Sequence, residues 1–253
     1  MTILDNKYYI IRRGDFAING NTKIFYSLFS ICLCIEEYIQ LNSIECFNIM
    51  IGSTIIWSII ECFLHYSNTR NIKPMYITNF NGKKIYLNKN IGIFLQGFQE
   101  GGVITTIGLY FGDRLFEPKY FYFFHALIGF IICTMALKPY SNSSVLSKRQ
   151  INTPSSLGII GIISIYNVKN LIKNPYHLQR QTSMLFCMLY ISSIWTFIAY
   201  CKNFRNVEVQ IKNNKGEYIT LKPTHFNALL ILGYDVIFEI GMAYITFYNW
   251  FII

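Results

Sequence analysis

Charged residues are scarce in this 253-residue chain, at 14% of the sequence, while hydrophobic residues make up 53%. Soluble domains carry about 25% charged residues, so this fraction and a mean hydropathy of +0.33 argue against a soluble, disordered or collagen-like protein. Acidic residues are fewer than basic residues, with 13 Asp and Glu against 22 Lys and Arg. The composition predicts an integral membrane protein whose basic residues meet anionic lipid headgroups rather than nucleic acid.

Several chemical motifs are also missing. The four histidines lack the spacing of metal ligands, and the sequence has no Gly-rich phosphate loop and no serine nucleophile motif. All seven cysteines lie in or at the ends of apolar stretches, so they do not suggest a disulfide framework. We therefore expect no metal site and no cofactor.

Long apolar segments define the predicted membrane spans, because a helix needs about 20 apolar residues to cross the hydrocarbon core. Six segments are clear: 24–41, 44–66, 91–111, 120–137, 183–201 and 226–253. A seventh, at 155–168, has a short apolar core and could instead be re-entrant. Seven spans with a cytoplasmic N-terminus place 17 of the 22 basic residues on the cytoplasmic side, the better fit to the positive-inside rule. The C-terminus then lies on the opposite side.

Two similar stretches suggest an internal repeat. The loops after spans 2 and 6 each predict a β-hairpin, one with Asn81-Gly82 at its turn and one with Gly216 near its tip. Each hairpin leads into a span that carries a Phe, Glu and Gly pattern, around Glu100 and Glu239. The fold class predicted is an all-α polytopic membrane protein with seven helices in a 3+1+3 arrangement of two parallel repeats. The single domain, 1–253, then consists of an N-terminal segment 1–23, repeat 24–111, linker helix 120–137 and repeat 155–253.

Acidic residues inside apolar segments mark the candidate site. Each costs about 2.5–3.5 kcal/mol near the bilayer centre, so these side chains should face protein or water. Seven of the 13 lie within or at the edge of spans: Glu36, Glu37, Glu45, Glu61, Glu100, Asp235 and Glu239. Helical spacing of four puts Glu61 with His65, and Asp235 with Glu239, on common faces. We predict catalytic roles for Glu61, His65, Glu100, Asp235 and Glu239, and substrate contacts for Trp57, Gln96 and His125. Glu36, Glu37 and Glu45, near span ends, are better explained by helix packing.

Three functions remain open from these residues. The first is a membrane enzyme that uses carboxyl acid–base chemistry on a lipid or isoprenoid substrate, as a cyclase or isomerase would. In length and in the acids Glu61 and Asp235 the chain resembles the small seven-span terpene cyclases, although their Trp-Glu dipeptide is absent. The second is a carrier or channel for protons, cations or a small solute at the repeat interface. The third is a structural subunit whose polar residues only join helices.

Overall fold

This computed structural model describes residues 6–14, 18–67, 74–151, 154–212 and 216–253, with the backbone alone at 154 and 155, and these residues are mostly helical. Within these ranges the chain forms seven helices, two of which contain a stretch of π-helix. They are α1 (Gly20–Leu41), α2 (Glu45–Tyr66), α3 (residues 89–113), α4 (Pro118–Ala136), α5 (Pro154–Lys173), α6 (His177–Cys201) and α7 (His225–Phe251).

Five of these helices, α1, α2, α4, α6 and α7, are long and apolar enough to cross a membrane, which is compatible with a multi-pass membrane protein. Helix α3 is not among the five, although its segment 91–111 is predicted as a clear span. Polar residues such as Gln99 and Glu100 lower its hydropathy, and the stretch Thr105–Gly112 is buried throughout. A helix enclosed by other helices does not need a continuous apolar surface.

Large apolar side chains cover the outside of the helices. Ile39, Ile59, Phe63, Ile165 and Ile172 are each exposed by 64–75%. Apolar surface on this scale is unfavourable in water and is what a lipid-facing surface presents. The exposed residues on α5 show that this helix, too, has an apolar outer surface.

Close packing around α3 depends on its glycines. A Cβ added at Gly101 would lie 2.5 Å from the carbonyl oxygen of Ser53, and one at Gly112 would lie 2.7 Å from the backbone nitrogen of Met184. Only glycine allows α2 and α6 to approach α3 this closely. The Gly101-Gly102 pair therefore serves helix packing, as its place in an apolar segment indicates.

A four-stranded antiparallel sheet lies at one end of the helices. It contains β1 (Lys7–Arg13), β4 (Val145–Ile151), β5 (Arg205–Lys212) and β6 (Tyr218–Leu221) in the order β4-β1-β5-β6. The predicted hairpin after helix α6 is confirmed as β5–β6. Strands β1 and β4 are absent from the sequence-based prediction, because each pairs only with strands far away in the chain.

The hairpin after α2 is confirmed as β2 (Tyr76–Thr78) and β3 (Lys84–Tyr86). Its turn is longer than the predicted two residues, since Thr78 pairs with Lys84. Gly82 takes a φ of +74°, which favours glycine. Residues 68–73 and 213–215, which carry the Arg70-Asn71 pair, Asn214 and Lys215 of the predicted repeat, lie outside the described residues.

One face of the four-stranded sheet packs on the helices. Tyr8, Ile10, Ile151, Val207 and Val209 form an apolar cluster with Ala228 and Leu232 of α7. The strands therefore hold a fixed position over the end of α7, and polar residues on the same face point toward the helices.

Candidate functional site: an arginine and carboxylate cluster and a neighbouring pocket

Three of the predicted site residues lie in the π-helical stretches. Glu100 belongs to the π segment Phe98–Val103 of α3, and Asp235 and Glu239 belong to the π segment Asp235–Ile240 of α7. A π turn widens the helix by one residue per turn, and such turns are frequent at functional sites. Both segments interrupt helices that are otherwise regular.

Three arginines face these carboxylates from the sheet. Arg12 on β1 pairs directly with Arg205 on β5, and Ile10, two residues before Arg12, pairs with Arg149 on β4. Because directly opposed residues and residues two apart share a face, all three arginines project from the face that packs on the helices. Their spacing along the chain gives no sign of this meeting.

Glu100 is bound from three sides. Its carboxylate accepts a hydrogen bond from Arg12 Nη1 at 2.8 Å, from Gln96 Nε2 at 2.5 Å and from Trp57 Nε1 at 3.0 Å. The Tyr244 hydroxyl donates to the Glu100 backbone oxygen at 3.0 Å. A carboxylate that accepts from a guanidinium and from two further donors is held in one position by strong hydrogen bonds.

Asp235 is fully buried and accepts from two guanidiniums, those of Arg149 and Arg205. Arg149 also donates to Glu239 at 3.1 Å, and Arg205 donates to Thr196 Oγ1 at 2.7 Å. Burial lowers the pKa of Arg205 to about 10, although Asp235 acts in the opposite direction, so the guanidinium is charged at neutral pH. The charges of Arg12, Arg149 and Glu100 also act on Arg205, so the two halves form one electrostatic cluster.

This arrangement limits what the three carboxylates can do. Three guanidiniums lie against three carboxylates, and each acid accepts at least one hydrogen bond from an arginine. These carboxylates are therefore already engaged by the sheet. The geometry fits a connection between the sheet and the two π-containing helices better than it fits three acids that supply protons.

Glu61 and His65 form a separate pair on α2. His65 Nε2 lies 3.8 Å from Glu61 Oε2, and both side chains are buried or nearly so. His65 and Gln96 help to line a pocket of about 210 Å³ between the end of α2, the start of α3 and the hairpin. Since Gln96 also binds Glu100, this pocket lies beside the arginine and carboxylate cluster.

The two other residues predicted to contact the substrate, Trp57 and His125, lie in different places. Trp57 stacks on Tyr244 with ring centroids 6.4 Å apart, inside the cluster. His125 lies on the exposed surface of α4, where its Nδ1 contacts the Phe121 carbonyl at 2.9 Å. The structure does not bring His125 together with the other site residues.

Acids near the span ends have their own partners. Glu36 accepts from the hydroxyls of Tyr110 and Tyr120, at 2.5 and 3.1 Å. Arg180 joins Glu45 to Asp113. These contacts fit the helix-packing role predicted for Glu36 and Glu45. Among the residues that the structure describes, no three His, Cys, Asp or Glu side chains are close enough to hold a metal ion.

The arginines are the site residues that sequence reasoning misses. Each lies in a polar stretch outside the predicted spans, and the signal that could find them is the alternation of Tyr8, Ile10 and Arg12 with outward-facing residues. That pattern is short, and it is informative only once its partner strands are known.

No family model, curated protein or solved structure matches this chain. Its function therefore has to follow from the geometry of these residues.

Proposed function

We propose that the protein is a multi-pass membrane enzyme in which Glu61 and His65 act as an acid–base pair on a lipid or isoprenoid substrate. The observation that carries this proposal is that His65, next to a fully buried carboxylate, lines a pocket. Unlike Glu100 and Asp235, this pair has a histidine, which can exchange a proton near neutral pH.

The chemistry follows from the positions of three side chains. His65 takes a proton from an acidic C–H or O–H group of the substrate, and Glu61 stabilises the resulting imidazolium. The imidazolium then returns the proton to another atom of the substrate, which completes an isomerisation and restores neutral His65. Gln96 has a second amide N–H that can donate to a substrate oxygen. The 3.8 Å separation of the pair is longer than a hydrogen bond, as is common in unliganded acid–base pairs.

A lipid substrate is supported by what surrounds the pocket. Met75, Leu87 and Ile93 give it apolar walls. Phe63 and Phe94, on the same two helices, are exposed by 71% and 50%. A lipid chain could lie along this outer surface while its reactive end enters the pocket.

In this proposal the cluster has a positioning role. Glu100 holds Gln96 at the pocket, and the ion pairs of Asp235 and Glu239 hold the sheet over α7. Glu100, Asp235 and Glu239 act through other residues rather than on the substrate.

The test compares lipid profiles of membranes that contain the wild-type protein, E61Q, H65Q or H125Q. We expect the wild type to convert at least one lipid species, with rates falling 10²–10⁴-fold in E61Q and H65Q. H125Q, which changes a histidine on the exposed surface of α4, should keep the wild-type rate. Conversion that survives H65Q, or a lipid profile that the wild type leaves unaltered, contradicts the proposal.

A carrier is the second candidate, because the elements follow the same order twice. Each half has a strand, two helices, a hairpin and a helix with a π segment, and α4 lies between the halves. In each half an arginine of the leading strand binds a carboxylate of the π segment, Arg12 with Glu100 and Arg149 with Asp235. This correspondence supports two parallel repeats in a 3+1+3 plan, which in transporters flank a central site.

The sheet also supports seven membrane crossings. Strands β1, β4 and β5 pair directly although four helices separate β1 from β4 and two separate β4 from β5. Two strands can pair at the same end of the helices only if the chain between them crosses the membrane an even number of times. With 17 basic residues on the sheet side, the positive-inside rule makes that side cytoplasmic.

Proton flux into proteoliposomes tests the carrier. If the arginine and carboxylate pairs form a gate, the wild type should conduct protons under an imposed potential, and R12Q and R149Q should change the rate at least several-fold. Flux no greater than in protein-free vesicles contradicts a proton carrier and leaves the enzyme proposal standing.

A further inference from the structure

A second, larger pocket lies on the outer face of the four-stranded sheet. It has a volume of about 470 Å³, within the range of small-molecule sites. Ile11, Asn206 and Glu208 line it from β1 and β5, and Tyr140 and Asn142 line it from the loop before β4. Register places these strand residues on the face opposite Arg12, so the pocket opens away from the helices.

The pocket walls are held in place by hydrogen bonds. The Gly14 nitrogen donates to Ser143 Oγ at 2.7 Å, and the Ser141 nitrogen donates to the Lys202 carbonyl at 2.9 Å. Asn203 Nδ2 donates to the Ser141 carbonyl at 2.5 Å. The loop before β4 is therefore fastened both to the end of β1 and to the turn before β5. A site built this way needs little reordering when it binds a ligand.

The charges of the pocket favour an anion. Arg13 and Lys222 contribute two cations. Among the described residues, Glu208 is the one carboxylate that lines the pocket, and it is already paired with Lys148 at 2.7 Å. Arg13 Nη1 donates to the Ser143 carbonyl oxygen at 3.1 Å, which holds this guanidinium at the wall of the pocket.

The uncharged lining favours a ligand with hydroxyl groups. Asn142, Asn206 and Thr220 offer amide and hydroxyl groups, and the half-exposed Tyr140 ring offers a flat surface. We propose that this pocket binds a small phosphorylated ligand with several hydroxyl groups, of nucleotide or sugar-phosphate size. Because the pocket opens away from the helices, the ligand comes from the aqueous phase rather than from a lipid headgroup. This inference does not depend on the pocket beside His65.

The experiment measures binding of ADP to the full-length protein in phosphatidylcholine nanodiscs by calorimetry. We expect saturable binding that weakens with ionic strength and that falls at least 10-fold in R13Q/K222Q. The matched control, K83Q/K84Q, removes two exposed charges from the hairpin β2–β3 and should change affinity less than 2-fold. The single variants K222Q and K222E should keep the fold, because Lys222 is exposed. K222E should weaken ADP binding more than K222Q does.

Three results would overturn the proposal. In the first, neither ADP nor glucose 6-phosphate saturates the wild type at millimolar concentration. In the second, ADP affinity falls equally in R13Q/K222Q and in K83Q/K84Q, which would mean that net charge, and not the pocket, attracts the anion. The third is full competition between phosphatidylinositol 4-phosphate in the nanodiscs and ADP, which would assign the pocket to a lipid headgroup. We expect nanodiscs with this lipid to bind ADP as well as plain ones do.

Discussion

Arg12 on the first strand and Glu100 in the middle of α3 form an ion pair with an Nη1 to Oε1 distance of 2.8 Å. The pair crosses the boundary between the sheet and the helices, and 88 residues of chain separate its partners. A strand that leads into the first helix is thereby fixed to the third. The Arg149 and Asp235 pair makes the corresponding connection between β4 and α7.

A double-mutant cycle should detect the first of these connections. R12Q and E100Q should each lower the free energy of unfolding, and the double variant should lose less than the sum of the two. We expect a coupling energy of about 0.5–3 kcal/mol, the range for residues in contact. Unfolding in detergent measures it. The control cycle combines R12Q with E239Q, whose carboxylate binds Arg149 instead, and a coupling as large there would contradict a direct pair.

Asp235 should be the most sensitive carboxylate in the protein. It is fully buried between two guanidiniums, so D235N leaves charges without their counter-ion and should cost about 3–5 kcal/mol. The comparison is D113N, which alters a partly exposed partner of Arg180 at the other end and should cost about 1 kcal/mol. Thermal unfolding of the purified variants checks the difference. Similar losses at both sites would show that burial does not control the stability of these pairs.

Gly112→Ala should destabilise the helix packing. The added Cβ would lie 2.7 Å from the backbone nitrogen of Met184, so α3 and α6 must move apart, at about 1–3 kcal/mol. Gly129→Ala is the matched control, because a Cβ built at that helical position meets no described atom within 4 Å apart from its own helix backbone and chain neighbours. There alanine should be neutral or stabilising by up to about 1 kcal/mol. Detergent melting curves that rank the variants in the opposite order would refute this packing.

Cysteine labelling should place the sheet and the loops at the other end of the helices on opposite sides of the membrane. In a background without the seven native cysteines, Asn81→Cys and Lys222→Cys should react from the cytoplasmic side. Lys119→Cys and Lys173→Cys should react only from the opposite side. All four positions are exposed. If Lys173→Cys labels together with Lys222→Cys, α5 does not cross the membrane and the seven-span count is wrong.

Periodicity and composition predict the local elements because both depend on neighbouring residues. Long apolar runs give α1, α2, α4, α6 and α7 within a few residues of their ends, and turn residues give both hairpins. The pairs Glu61 with His65 and Gln96 with Glu100 also follow from a spacing of four, since each pair lies on a single helix. The hydropathy of α3 is lower than that of the five apolar helices because its second half, where Thr105–Gly112 are buried, packs against other helices.

Contacts between residues far apart in the chain decide which partners the buried acids have. The sequence by itself determined a helical class with apolar segments long enough to cross a membrane, and the acids within them that need partners. It could not show that those partners are Arg12, Arg149 and Arg205, because that choice depends on the register of three strands drawn from different parts of the chain. Only the tertiary structure shows that the acids Asp235 and Glu61 have different surroundings. Two arginines bind Asp235, whereas Glu61 pairs with a histidine at a pocket. Burial makes every carboxylate in these helices require a partner, but which partner it finds depends on which elements meet in space.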